Sequence, residues 1–283
     1  MKKWSLIIDV EKCEDCNNCF LACKDEHLDN EFPGVTLAQP RHGHRWINIM
    51  RKERGQAPMV DVAYLPVPCM HCDNAPCIKH AEQGAVYKRK DGIVLIDPDR
   101  SKGQKSLVDA CPYGAIWWNE EKQVPQKCTF CAHLLDEGWK EPRCVQACPT
   151  GAMELQSHDG EGGTENRKIE KDDVFHPEYK TFPRVYYKNL YRFQRCFIGG
   201  SVAFEKDGIT DCAEGAIVSL VREGETMAET VTDNYGDFKF DNLEEKSGPY
   251  RVEITWRDLE KKVVDVDLKK DSVYMGIMTF RLL

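Results

Sequence analysis

The sequence predicts an α+β protein in which a cysteine-rich domain, residues 1–156, precedes a small all-β domain, residues 198–283. Two observations support this prediction. Twelve of the 14 cysteines lie in closely spaced runs in the first region, and short segments of alternating hydrophobicity, separated by turn residues, fill the second. Between them, residues 157–197 form a polar loop and then an aromatic and basic linker, which is either a docking segment or packed on its own domain.

The first cysteine run has the spacing of an iron–sulfur site. Its pattern is C-x2-C-x2-C-x3-C, and its members are Cys13, Cys16, Cys19 and Cys23. In such runs three close cysteines bind one [4Fe–4S] cluster and the fourth binds a second cluster. Zinc sites usually present cysteines as separated pairs, and cysteines two residues apart form disulfides poorly. We therefore interpret this run as a cluster site.

An internal repeat indicates two related modules. Residues 8–13, Ile-Asp-Val-Glu-Lys-Cys, align with residues 96–101, Ile-Asp-Pro-Asp-Arg-Ser. Downstream, the Cys-Pro-x-Gly-Ala segment that begins at Cys111 aligns with the one that begins at Cys148. The alignments predict two pseudo-twofold-related bacterial ferredoxin-like modules. In this register a fourth cluster site has lost every thiol, and its positions carry Ala81, Ser101, Gln104 and Leu107.

Two further runs, Cys69–Cys77 and Cys128–Cys148, together with Cys111, supply the remaining ligands. If each cluster takes three ligands from one run and the fourth from elsewhere in the chain, these cysteines predict three [4Fe–4S] clusters. The predicted ligands are, for cluster 1, Cys13, Cys16, Cys19 and Cys148; for cluster 2, Cys23, Cys128, Cys131 and Cys144; and for cluster 3, Cys69, Cys72, Cys77 and Cys111. The alternative is a degenerate cluster protein in which some runs are empty or bind zinc.

Three features other than the ligands bear on these sites. An insertion, residues 27–68, separates the first two runs and contains a predicted strand at 45–50. His71 and His133 lie beside predicted ligands, and each either donates a hydrogen bond to a cluster sulfur or is simply packed. Cys196 and Cys212 in the β domain are predicted to be structural thiols rather than ligands of another metal site.

Charge and composition exclude several classes of function. The net charge of −8 argues against a nucleic-acid partner. No apolar stretch reaches the roughly 18–20 residues of a membrane helix, and the N-terminus has no signal-peptide core. We therefore expect a cytoplasmic protein, unless it is exported attached to a partner that carries the signal. The sequence shows no nucleophile–base pair, phosphate-binding glycine loop or cofactor motif. We therefore expect no catalysis by this chain alone and no direct small-molecule substrate.

Residues 1–155 resemble the iron–sulfur subunits of the dimethyl sulfoxide reductase family of molybdenum enzymes, whose members carry four such runs. The missing fourth site, the segment His42-Gly-His-Arg-Trp46 and the segment 183–193 resemble a narrower group, which contains pyrogallol–phloroglucinol transhydroxylase and resorcinol hydroxylase. The β domain is similar to transthyretin-like or immunoglobulin-like sandwiches. This resemblance covers nearly the whole chain.

The resemblance implies a heterodimer with a large catalytic subunit. That subunit would hold a bis-molybdopterin guanine dinucleotide molybdenum centre and hydroxylate or transhydroxylate polyhydroxybenzenes, while the present chain would transfer electrons. Two alternatives are a cluster-bearing scaffold of a redox-neutral transhydroxylase and an electron-transfer subunit of another molybdenum reductase. A radical enzyme is disfavoured because such enzymes leave one iron without a cysteine, whereas each predicted site has four candidate ligands.

Overall fold

A computed structural model describes residues 2–159 and 173–282, so most of the predicted polar loop lies outside the described residues. The chain forms two compact units. The first comprises Met1–Arg51 and Tyr64–Leu190, and the second comprises Lys52–Ala63 and Tyr191–Leu283. The predicted insertion is thus divided, since its middle belongs to the second unit. In the described part of the chain, none of the helices has the length and apolar character needed to span a membrane.

Short strands and short helices alternate in the first unit. The strands are β1 (Lys2–Asp9), β2 (Ile47–Gln56), β3 (Met59–Pro68), β4 (Val86–Lys88), β5 (Val94–Ile96), β6 (Trp117–Asn119), β7 (Val124–Gln126), β8 (Met153–Asp159) and β9 (Val185–Lys188). The helices are α1 (Asn18–His27), α2 (Pro76–His80), α3 (Ala132–Asp136) and α4 (Arg143–Gln146), with 3-10 turns at Lys105–Leu107 and Pro177–Tyr179. The end of β2 and the start of β3 fall within Lys52–Ala63 and are therefore assigned to the second unit.

The central sheet of the first unit has the order β8-β1-β9. β1 pairs antiparallel with β8 and parallel with β9, and its apolar residues from Leu6 to Ile8 are buried. β9 lies in the aromatic and basic linker, which the sequence predicted to be either a docking segment or packed on its own domain. Its Tyr187 is fully buried and donates a hydrogen bond to the Pro66 carbonyl at 2.9 Å. This part of the segment therefore packs inside its own unit.

Two helices of the first unit begin at or directly after a proline and carry a predicted ligand. Pro76 occupies the first turn of α2, and Pro142 directly precedes α4. Proline suits a helix N-terminus because the N–H that it lacks has no intrahelical acceptor there. As a result Cys77 and Cys144 lie in the first turns of these helices, where their backbone is fixed.

The second unit contains two four-stranded sheets. Its elements are α5 (Tyr191–Gln194), β10 (Cys196–Lys206), β11 (Ile209–Cys212), β12 (Ile217–Arg222), β13 (Glu225–Val231), β14 (Asp237–Leu243), β15 (Gly248–Thr255), β16 (Lys262–Leu268) and β17 (Val273–Arg281). One sheet contains β11, β10, β14 and β17, and the other has the order β13-β12-β15-β16. Buried side chains from both sheets form one core, among them Ile198, Val218, Phe238, Val252 and Phe280.

Six of these strands coincide with the predicted alternating segments, whereas β11 and β13 are additional. The residues of β13 are nearly all exposed, so this strand has no buried face that would produce a hydrophobic alternation. It is held by backbone pairing to β12 instead.

A buried arginine lies within the second unit, on the part of β2 that belongs to it. Arg54 is 3% exposed and donates to both carboxylate oxygens of Asp241, at 2.8 and 3.1 Å. It also pairs with Asp61 on β3 and donates to the Arg195 carbonyl at 3.1 Å. Burial raises the pKa of Asp61, but the Arg54 hydrogen bond and the nearby Lys239 charge outweigh it and hold that pKa at about 2.

Candidate iron–sulfur sites

The four thiols assigned to cluster 2 line one buried cavity of the first unit. They are Cys23, Cys128, Cys131 and Cys144. All four are buried. Its remaining wall is mostly apolar and includes Leu6, Trp46, Ile47 and Phe130. α1, α4 and the loop before α3 thus bring together cysteines that are far apart in the sequence.

The four thiols assigned to cluster 3 line a second cavity. They are Cys69, Cys72, Cys77 and Cys111. The wall of this cavity also contains His71, Val94, Tyr113 and Lys127. Three of the thiols come from the run before and within α2, and the fourth follows the turn at Lys105–Leu107.

The thiols assigned to cluster 1 also lie together, but nearer the surface. They are Cys13, Cys16, Cys19 and Cys148. Burial and then the charges of the other three thiolates raise the pKa of Cys19, to about 12. Cys16 is exposed, and Cys13 and Cys148 are half-buried. The site assigned to cluster 1 is therefore the most solvent-accessible of the three.

The three runs share one loop geometry. The residue before the second cysteine has left-handed backbone in each, with φ of 52° at Asp15, 45° at His71 and 58° at Phe130. Non-glycine residues adopt this conformation rarely, and it often marks a functional loop. It turns the residue's N–H toward the first sulfur of the run, at 3.5 Å from Cys69 and 3.4 Å from Cys128. The same contact occurs in the first run.

The two Cys-Pro-x-Gly-Ala segments also repeat one geometry. Gly114 and Gly151 have φ of 62° and 64°. Each glycine lets the following alanine donate its N–H back to the cysteine sulfur, at 3.5 Å for Cys111 and 3.3 Å for Cys148. N–H groups directed at sulfur stabilise the thiolate form that binds iron.

Burial works against ionisation of these thiols in the absence of a cation. It raises the pKa of Cys72 and of Cys131 to about 12, because charged sulfur is poorly solvated there. Four thiolates that share one buried site need positive charge to offset this cost and their mutual repulsion. An iron–sulfur cluster carries such charge, so the donor set fits it. In the described ranges, no three His, Cys, Asp or Glu side chains are arranged around a single metal-ion position.

The positions of the predicted missing fourth site contact other parts of the protein. Ser101 and Leu107 are fully buried. The Gln104 side chain accepts the Glu82 N–H at 3.1 Å and donates to the Arg100 carbonyl at 2.7 Å. The Gln104 amide therefore links the backbone at Glu82 to the backbone at Arg100, two segments that a fourth cluster would otherwise connect.

Three residues on the cavity walls were not predicted from the sequence to lie at a cluster site. Trp46 and His27 are each 1% exposed and line the cluster 2 cavity, and Lys127 is 3% exposed in the cluster 3 cavity. Lys127 directly precedes Cys128, and this was the one feature of the sequence that could have indicated its place near a cluster site. For His27 and Trp46 no local pattern exists, because the insertion reaches the cavity only through tertiary folding.

Comparison with known proteins agrees with this geometry. Residues 60–158 match the family model of a 4Fe-4S dicluster domain. The chain belongs to the family of iron–sulfur subunits of dimethyl sulfoxide reductase-type molybdenum enzymes. Within that family it is 50% identical to the pyrogallol hydroxytransferase small subunit of Pelobacter acidigallici, over 90% of this chain and 91% of that protein.

Another relative is a subunit of a different enzyme. The iron-sulfur subunit ArrB of arsenate respiratory reductase from Shewanella sp. strain ANA-3 is 30% identical, over 64% of this chain and 94% of that subunit. Among solved structures, 5-hydroxyisourate hydrolase from Klebsiella pneumoniae covers 31% of this chain and 87% of its own, at 21% identity and a TM-score of 0.26. That structural likeness is too low to assign a fold to the β region.

Proposed function

We propose that this chain binds three [4Fe–4S] clusters and serves as the electron-transfer subunit of a molybdenum enzyme that hydroxylates or transhydroxylates polyhydroxybenzenes. The observation that supports it best is the convergence of four thiols on each of two buried cavities, with four more nearer the surface. The substrate class rests on the relative named pyrogallol hydroxytransferase small subunit.

The chain's own residues prepare each site. When bound, [4Fe–4S] clusters supply one-electron transfer. Apolar side chains such as Trp46 and Phe130 exclude water from the cluster 2 cavity, and backbone N–H groups face the ligand sulfurs. The exposed Cys16 makes the cluster 1 site the one that a redox partner can approach from solvent. We place a large subunit with a molybdopterin guanine dinucleotide centre as that partner, in a cytoplasmic heterodimer.

Metal analysis of the complex, purified natively without oxygen, tests this function. We expect about twelve irons and twelve sulfides per copy of this chain, with about one molybdenum on a co-purifying large subunit. About sixteen irons would show that the fourth site is occupied. Zinc without sulfide would refute electron transfer by this chain.

The Gln104→Ala variant tests the filled fourth site. We expect its iron content to equal that of the wild type, because no ligand is removed. The local free energy of unfolding should fall by about 0.5–1.5 kcal/mol, since the Glu82 N–H and the Arg100 carbonyl lose their amide partner but remain accessible to water. Iron analysis together with hydrogen exchange of the amides at 82 and 104 measures both effects. A loss of iron would mean that Gln104 supports a bound cluster.

A second candidate is a structural role for the clusters. It is favoured by the name hydroxytransferase of the similar small subunit, because transfer of a hydroxyl group between two aromatics involves no net oxidation. Freeze-quench spectroscopy during turnover separates the two candidates. Cluster oxidation states that change at the turnover rate support electron transfer, and states that stay constant support the scaffold.

A further inference from the structure

The two ring nitrogens of His71 have different surroundings. The ring is 1% exposed, and its Nδ1 accepts a hydrogen bond from the Val94 backbone N–H at 3.0 Å. A nitrogen that accepts an N–H carries no proton, so the ring proton lies on Nε2. Among the described residues, Nε2 is buried and has no hydrogen-bond partner. His71 is therefore an N–H donor without an acceptor from the protein.

This donor lies on the wall of the cluster 3 cavity, which the thiols of Cys69, Cys72, Cys77 and Cys111 also line. A buried donor that lacks an acceptor costs about 1–3 kcal/mol, so buried donors are nearly always paired. The ring cannot turn freely, because its edge packs against Phe130 with centroids 4.4 Å apart. Sulfur atoms of a cluster held by the four thiols would supply the acceptor that the protein does not.

Val94, whose backbone orients the ring, has a second hydrogen bond to this site. Its N–H binds His71, and its carbonyl accepts a hydrogen bond from the Lys127 ammonium group. Lys127 also donates to the Cys128 carbonyl at 3.2 Å and lines the same cavity. Val94 on β5 thus binds both His71 and Lys127, which lie on the wall of the same site. Both groups favour negative charge in that cavity.

The other histidine beside a ligand has a different arrangement. His133 Nε2 lies 3.0 Å from a carboxylate oxygen of Glu26, and its ring stacks on Phe32 at 3.6 Å between centroids. Its Nε2 is thus used within the protein, whereas the Nε2 of His71 is not.

We propose that the Nε2–H of His71 donates a hydrogen bond to a sulfur of cluster 3 and thereby raises the reduction potential of that cluster. This inference rests on the proposed three-cluster function. Reduction adds an electron to the cluster and strengthens a hydrogen bond to its sulfur, so the donor stabilises the reduced form more than the oxidised form.

The variants His71→Asn and His71→Gln test this role. An asparagine side-chain oxygen can take the place of Nδ1 and keep the Val94 hydrogen bond, but it leaves no donor at the position of Nε2. A glutamine amide reaches that position. We expect His71→Asn to reduce the equilibrium constant for reduction of cluster 3 about tenfold, which is 59 mV for a one-electron couple. His71→Gln should restore most of the difference, and His133→Asn should leave cluster 3 unchanged.

The measurements are iron content, redox titration followed by electron paramagnetic resonance, and the hyperfine coupling of exchangeable protons to reduced cluster 3. About twelve irons in the wild type establish the proposed function independently of His71. With iron complete, an unchanged potential and an unchanged exchangeable-proton coupling in His71→Asn would overturn the inference. If that variant assembles no cluster 3, wild-type protein labelled with ¹⁵N-histidine decides: coupling of a histidine nitrogen and of an exchangeable proton to reduced cluster 3 supports the donor, and the lack of such coupling overturns it.

Discussion

The double variant Cys23→Ala/Cys131→Ala is expected to lose about four of twelve irons, although its two substitutions lie in different cysteine runs. The reason is that both thiols line the cluster 2 cavity, together with Cys128 and Cys144. A site with two of its four ligands removed cannot retain its cluster. Clusters 1 and 3 keep all of their proposed ligands and should remain.

This result distinguishes pairing between runs from pairing within them. If Cys23 instead completed the site of its own run, the two substitutions would damage two clusters and about eight irons would be lost. The matched control is Cys196→Ala/Cys212→Ala, which removes two thiols of the second unit that line neither cavity. It should retain all of its iron. Iron and sulfide analysis of the purified complex measures each variant.

The same double variant is expected to destabilise the first unit. Binding of metal to a site that exists only in the folded chain contributes directly to the free energy of folding. The cluster 2 cavity lies in the interior, next to the central strand residue Leu6. We therefore expect β1 and β8 to lose protection against hydrogen exchange in this variant. In the control, protection of these two strands should equal that of the wild type.

Replacing Arg54 with leucine is expected to destabilise the second unit by about 3–5 kcal/mol, the usual cost of removing one partner from a buried ion pair. The guanidinium is nearly inaccessible and binds the carboxylates of Asp61 and Asp241. Leucine would leave these two carboxylates close together. Lys239 would still form an ion pair with each of them. Arg251→Leu is the matched control, because its pair with Asp265 is exposed and should contribute about 0–1 kcal/mol.

Native-state hydrogen exchange of β10 and β14 amides measures this loss, because a chain with two units does not unfold in one step. The pH dependence provides a second readout. Asp61 has a pKa held at about 2, below its ordinary 3.8, so its ionised form stabilises the fold above pH 4. That contribution is lost as the pH falls toward 2. We expect Arg54→Leu to weaken this dependence, and a loss of stability equal to that of Arg251→Leu would contradict the assigned role of Arg54.

Much of the architecture was predictable because its signals are local or repeated. The spacing of the cysteine runs and the alignment of two Cys-Pro-x-Gly-Ala segments led to the three sets of four thiols. Six strands of the second unit were visible because their buried faces alternate with exposed ones. β13 was missed because it has no buried face, and Arg54 because its acid partner Asp241 lies 187 residues further along the chain.

By itself, the sequence predicted which thiols act as ligands and that a fourth site has none, because ligand type and spacing are properties of the chain. Only the tertiary structure separated His71 from His133, which are both neighbours of cysteines. The Val94 N–H donates to Nδ1 of His71, which leaves the ring proton on Nε2. In His133, Nε2 lies within hydrogen-bond distance of the Glu26 carboxylate. The direction in which a histidine can donate depends on the partner at its other nitrogen, and that partner is brought by folding from a distant part of the chain.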